Sequence, residues 1–301
     1  MILSFILKIE EDYMSEKQPK IITMVCNKGG VGRSTTTINV GWKLAELGYK
    51  TLVVDLDAQS NTSATLSIDY KIDVAKSNSN LVSCISDERG TFFDYKVSTR
   101  HENLDLLGAT LFLDETEEHM KLNPTPTHIL KSKLDDDIEG KEYYDYIIFD
   151  TPPSKHNKLL HNALMMSDYY WYIIGAEDIW ALDARVIMDK IVASFEKHNT
   201  KLQGLPVLLT QYRSNVRQCQ LMKETCDKEF ENLAGVFDTT IRFTTVVGRS
   251  QAKRRSLYEF DRAHGVTKDY TNLTKELITY IDGKDEADRV FRAKKVLKKR
   301  S

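Results

Sequence analysis

Six short runs of apolar, β-branched and aromatic residues punctuate the chain: IITMVC (21–26), TLVVDL (51–56), LDLLGA (104–109), YDYIIFD (144–150), YYWYIIGA (169–176) and LPVLLT (205–210). They lack the polar alternation of a strand with one wet face, so each predicts a strand buried on both sides, as in parallel sheets. Between them lie stretches with helical spacing at 34–47, 116–139, 157–166, 180–198 and 215–233. Strand alternating with helix predicts an α/β fold: one doubly wound, mostly parallel sheet with helices on both faces. No internal repeat or low-complexity linker divides the chain, and the Ser-, Asn- and Asp-rich span 67–103 fits no element. In such sheets ligands sit beyond the carboxyl ends of the strands.

Composition narrows this picture. With 301 residues and 41% hydrophobic content, the chain has ample material for a buried core. A formal charge of −2 excludes a protein that coats nucleic acid with its whole surface, so any such contact must come from local clusters. Cys26, Cys84, Cys219 and Cys226 form no C-x-x-C pair and the seven histidines show no metal-ligand spacing, which fits a reduced cytoplasm. The opening MILSFILKI is apolar but about half as long as a membrane span, and acidic residues follow it. It reads as an extension, with Met14 as an alternative start.

The densest chemistry lies in MVCNKGGVGRSTTTINV, residues 24–40. Against the phosphate-loop pattern G-x-x-x-x-G-K-[S/T], Asn27 takes the first position, Gly32 the sixth, Arg33 the lysine position and Ser34 the hydroxyl position. Gly29, Gly30 and Gly32 let the backbone curl so that successive N–H groups point inward, and the helix that follows adds its positive end. An anion is the natural occupant; Ser34 is the expected Mg²⁺ ligand and Thr35 continues the helix start. Asp55 and Asp57 close the second strand in VVDLDAQSN, and Asp150 closes another in IIFDTPPS. Strand-end carboxylates beside a phosphate loop suit a hard cation that keeps several waters, and an attacking water. Each aspartate alone also suits a cap or turn; the three together point to a site.

In order and spacing, KGGVGRSTT, VVDLDAQSN, YDYIIFDTPPS, NALMMSDYYWYIIGAEDIWALDA and LLTQYRSN resemble the ParA-type deviant Walker ATPases of the ParA/MinD superfamily, over roughly residues 20–282. The resemblance implies an ATPase domain at 20–282, with an extension at 1–19 and a basic tail at 283–301. It implies ATP and Mg²⁺ as ligands, a homodimer sandwiching two nucleotides, and Lys28 reaching the partner subunit's nucleotide. Asp57 would orient the hydrolytic water, while Asp55 and Asp150 support Mg²⁺ and the switch segments. The loop residues Lys28, Gly29, Gly30, Val31, Gly32, Arg33, Ser34 and Thr35 would hold phosphate, and Gln251 would face adenine. A ParB-like centromere-binding partner is implied too, and the acidic Glu10, Glu11 and Asp12 would complement a basic arm on it.

Arg33 departs from the pattern. Lysine is a compact point charge on phosphate, whereas arginine is a broad planar fork. The substitution predicts retained ATP and Mg²⁺ binding with hydrolysis that is slow or waits on a partner. The alternative is an arginine swung out to solvent, with Lys28 compensating. Arg242, Arg249, Lys253, Arg254 and Arg255 concentrate charge that suits nonspecific double-stranded DNA, as the nucleoid-bound relatives use. The tail places Val290, Ala293 and Leu297 on one helical face beside Phe291, a thin apolar stripe that favours DNA or partner contact over membrane. Three functions remain open: a DNA-partitioning ATPase, a nucleotide-gated regulator of plasmid replication with little turnover, and a MinD-like membrane-cycling regulator.

Overall fold

The computed structural model describes residues 18–26, 28–178 and 180–298, so Asn27 and the acidic residues 10–12 lie outside the described residues. Eight strands run in the order β3–β4–β2–β5–β1–β6–β7, with β8 also pairing β6. They are β1 (Lys20–Val25), β2 (Thr51–Asp55), β3 (Val97–Ser98), β4 (Leu104–Leu107), β5 (Tyr146–Asp150), β6 (Tyr169–Gly175), β7 (Gln203–Gly204) and β8 (Leu208–Thr210). All pairings are parallel except that of β3 with β4. The expected architecture is therefore present, with a short antiparallel edge.

Successive residues of a strand face opposite sides, and here both sides are covered. Val53 and Ile148 join one core, while Leu52, Val54, Ile147 and Phe149 join the other. The first layer holds α1 (Arg33–Glu46), α12 (Gly265–Asp282) and α13 (Lys284–Lys298). A side chain at Gly41, midway along α1, would bring its Cβ within 2.9 Å of Val53 Cγ2, so this helix lies closer to β2 than a larger residue allows. Gly41→Leu is expected to cost about 1–3 kcal/mol, read as a lower denaturation midpoint; an unchanged midpoint would refute the close approach.

Several helices differ from the sequence expectation. The single helix expected over 116–139 is three: α4 (Leu113–Met120), α5 (Ile129–Asp135) and α6 (Ile138–Tyr143). Pro124 and Pro126 lack amide donors and disfavour helix in the residue before each, and Asp137 caps the last piece by accepting from the Gly140 amide. The strand expected at 205–210 shrinks to β8 because Pro206 interrupts the ladder, with β7 pairing β6 just before it. The span 67–103 is structured, carrying a π-helical turn (Lys71–Ala75), α3 (Leu81–Ser86) and β3; α2 (Asn61–Leu66) precedes it. The remaining helices are α7 (Lys158–Met166), α8 (Ala181–Glu196), α9 (Arg217–Glu229), α10 (Thr245–Ala252) and α11 (Leu257–Phe260).

The tail helix α13 docks on the body. Its inward face is Ala287 and Val290, both buried, with Phe291 half-buried, whereas Ala293 is exposed and Leu297 lies outside the described side chains. Of the apolar stripe read from sequence, Val290 is thus covered, with Phe291 beside it, while Ala293 is not. Among the described residues no helix is long and apolar enough to cross a membrane.

Candidate nucleotide site

Strands β2, β5 and β1 are neighbours and parallel, so their carboxyl ends emerge on one edge. Asp55 and Asp150 are partners in register at the ends of β2 and β5, and the glycine loop leaves the end of β1. Gly30 and Gly32 take φ of +78° and +89°, a region that side chains other than glycine resist. The curl delivers the start of α1, which has no side-chain cap and no acidic residue in its first turn. Its amide dipoles therefore face a cavity of ≈ 1180 Å³, walled by Gly29, Gly30, Gly32, Arg33, Ser34 and Thr35. Asp57 and Gln251 also line it.

Arg33 is 7% exposed, and its Nη1 is buried without a hydrogen-bond partner. The solvent-facing arginine is therefore excluded: the guanidinium points inward and retains an unmet donor. Asp150 carries the matching deficit, since Oδ2 accepts from the Thr62 hydroxyl at 2.6 Å while Oδ1 has no partner. Burial pushes the Asp150 carboxyl up, and the Arg33 charge leads the effects that pull it back. Asp55, buried and facing Asp150, is likewise pushed up, first by burial and then by its neighbour's charge. A buried donor and a buried acceptor, each without a partner, are costly, and a phosphate with its cation would satisfy both.

The metal assignments of Asp55 and Asp150 separate. Asp55 Oδ2 accepts from the Ser63 amide at 2.8 Å and hydroxyl at 2.7 Å, and Oδ1 accepts from the Asp57 amide at 3.1 Å. These bonds pin α2 to the end of β2. Asp150 keeps an oxygen without a partner, and among the described residues no three His, Cys, Asp or Glu converge as a self-sufficient metal site. That fits Mg²⁺, which takes one or two protein ligands and completes its shell with phosphate and water.

Lys28 turns away from this cavity. Its Nζ donates to both oxygens of Asp178, at 2.6 and 2.5 Å, in the turn after β6. The Val31 side chain is buried in the core, so only its backbone serves the loop, with its carbonyl accepting from the Thr210 hydroxyl at 2.6 Å. Gln251 donates to the Thr35 hydroxyl at 3.0 Å, tying α10 to the loop helix. Of the basic cluster, Arg249, Lys253, Arg254 and Arg255 are exposed around the end of α10. Arg242 is exposed as well, but Asp269 holds its guanidinium through two bonds of 2.6 and 2.7 Å, and it lines the cavity as Arg254 does.

Reading the sequence missed Thr62, Ser63, Asp178 and Arg100. The first two had a signal, since hydroxyl residues follow VVDLDAQSN within one helical turn. Asp178 and Arg100 meet their partners only through the fold.

Fold and loop together define a phosphate-loop nucleotide-binding protein. A family model described as an AAA domain matches residues 19–204. The sporulation initiation inhibitor protein Soj of Bacillus subtilis (strain 168) is 31% identical over 263 residues, covering 86% of this chain and 98% of Soj. The chromosome partitioning protein ParA of Caulobacter vibrioides is 26% identical over 268 residues, 88% of this chain and 96% of that protein. A plasmid partition protein of Borrelia burgdorferi B31, solved bound to AMPPNP, superposes with TM-score 0.71 at 26% identity, covering 87% and 99% of the two chains. The chain belongs to the ParA/MinD-type P-loop ATPases, the family of the partitioning ATPases.

Proposed function

We propose that this protein is an ATP-dependent DNA-partitioning ATPase: it holds ATP with Mg²⁺, closes into a nucleotide-sandwich dimer, and binds double-stranded DNA without sequence preference. A ParB-like partner on the cargo then stimulates hydrolysis and release. One observation carries the reading: Arg33, Asp57 and the uncapped start of α1 line one cavity, and Arg33 Nη1 and the Oδ1 of Asp150, on which the Arg33 charge acts, are buried without partners. Ser34 and Asp150 would hold the metal, which supplies charge neutralisation on the transferring phosphate. Loop amides and Arg33 bind phosphate, Asp57 orients the water, and Gln251 stands on the base side. Arg249, Lys253, Arg254 and Arg255 supply the DNA contact, so retention weakens steeply with salt.

Arg33 at the lysine position supports slow basal turnover, and this favours the nucleotide-gated regulator as the second reading. The MinD-like reading is weakened, because Val290 and Phe291 of its tail stripe pack on the core. Phosphate release measured with neither, either or both of duplex DNA and the neighbouring gene's product separates the two. Stimulation by both together selects partition; nucleotide-dependent DNA retention without stimulation selects the regulator; and calorimetry without heat on millimolar magnesium nucleotide refutes both.

In the single subunit, Asp178 engages the very ammonium that would serve the partner's nucleotide. The pair is about a third exposed (33% and 26%), so its worth is small, about 0.2–1 kcal/mol. Asp178→Asn is therefore expected to tighten AMPPNP-dependent dimerisation by up to about fivefold in sedimentation measurements. Weakened dimerisation would instead make Asp178 part of the dimer contact.

A further inference from the structure

The basic turn after α10 is tethered to the nucleotide cavity from two sides, and one tether is an arginine in the span that the sequence left unexplained. Arg100 follows β3, where Thr99 bridges Ser67 in antiparallel fashion. Its guanidinium is largely enclosed, 18% exposed, and every nitrogen is used. Nη1 donates to the Ser67 carbonyl, and Nη2 to the Thr65 carbonyl at 2.6 Å, both at the carboxyl end of α2. Nε donates to Glu259 Oε1 at 2.7 Å, and Nη2 also reaches Glu259 Oε2 at 3.2 Å and the Arg254 carbonyl at 3.3 Å.

Both ends of this bridge are conformationally special. α2 is preceded by Ser60, with φ +54°, three residues after Asp57, and is pinned to the two buried carboxylates by Thr62 and Ser63. The basic turn includes Arg254, with φ +50°. Non-glycine residues in this left-handed region persist only where surrounding contacts hold them. Glu259 also completes the capping box of α11 with Ser256, so its carboxylate sets the start of α11 as well as receiving Arg100. A continuous chain of hydrogen bonds thus runs from Asp55 and Asp150 through α2 and Arg100 to the 253–259 segment. The second tether, from Gln251 to Thr35, joins the same turn to the phosphate-loop helix.

We propose that Arg100 is the positioning residue that transmits occupancy of the nucleotide cavity to the basic turn, setting the arrangement in which Lys253, Arg254 and Arg255 meet a polyanion. A cation placed at Asp150 changes the demand on Thr62, α2 follows, and the planar fork of Arg100 carries the displacement because it grips the last carbonyls of α2 and the Arg254 carbonyl at once. Lysine keeps the charge but not that two-sided grip. The DNA role of the turn rests on the proposed function; the mechanical link does not.

The test is amide hydrogen exchange with Mg²⁺ and AMPPNP, comparing wild type with Arg100→Met and Arg100→Lys, alongside DNA retention. In wild type, nucleotide is expected to change exchange of residues 249–259 by roughly fivefold or more, the ordinary scale of coupling between sites. In Arg100→Met that response should vanish while residues 29–36 remain protected by nucleotide; in Arg100→Lys, the variant that guards against misfolding of the first, it should be reduced. A turn that responds equally in both variants, or not at all in wild type, overturns the proposal. A turn that responds through Arg100 in a protein that does not retain DNA upholds the link and refutes the DNA-partition reading instead.

Discussion

Arg33→Ala is expected to weaken binding of magnesium nucleotide by roughly 10- to 150-fold, the loss of a charged hydrogen bond worth about 1.5–3 kcal/mol. The argument is one of unmet demand. Arg33 is buried with Nη1 unpartnered, and the charge lies where it acts on Asp150. Its removal takes from the phosphate its fixed cation and leaves the buried Asp150 without the charge that most offsets its burial. Arg33→Lys separates affinity from catalysis: it should hold nucleotide within a few-fold of wild type and raise basal phosphate release, because a compact ammonium follows the charge that grows on the transferring phosphoryl group better than a wide fork. Calorimetry with AMPPNP and a phosphate-release assay give the two quantities. A twofold change or less in affinity for Arg33→Ala would mean that the guanidinium serves the fold and not the ligand. Fast turnover in wild type, unaltered in Arg33→Lys, would remove the case for a slowed engine.

Asp57→Asn should lower stimulated turnover by about 10²–10⁴-fold, the range for removing a positioned proton acceptor, with nucleotide affinity little altered. Asp57 differs from its neighbour Asp55 in a way that makes the expectation specific. Asp55 is fully buried, and three hydrogen bonds fill it, so replacing it disturbs α2 and the stability of the fold. Asp57 faces the cavity, where its Oδ1 accepts only the local bond from the Gln59 amide at 2.9 Å. Its replacement therefore leaves the frame standing. Equal losses of turnover and thermal stability in Asp57→Asn would show that it, too, is a structural carboxylate.

Much of the site was legible because it is local in sequence. A phosphate loop is a run of glycines whose backbone conformation follows from the residues themselves, and strand-end aspartates are legible once apolar runs mark the strands. The helices around 116–143 were misread because their apolar spacing continues across Pro124 and Pro126, and there the missing amides outrank periodicity. The basic cluster was legible as charge, but its pairing was not: Arg242 is held by Asp269, which lies 27 residues further along, although its side chain stays exposed.

By itself the sequence determined the parallel strands, the glycine loop with arginine in it, and the carboxylates at the strand ends. These depend on propensities and spacings within one strand–turn–helix unit. Only the tertiary structure decided which carboxylate is spent on α2 and which keeps an oxygen open, whether Arg33 points inward, that Asp178 holds Lys28, and that Arg100 joins α2 to the basic turn. Those contacts link residues as far apart as Lys28 and Asp178 or Arg100 and Glu259, and their geometry exists only once the sheet has brought strand ends together and burial has set the cost of each unpaired group.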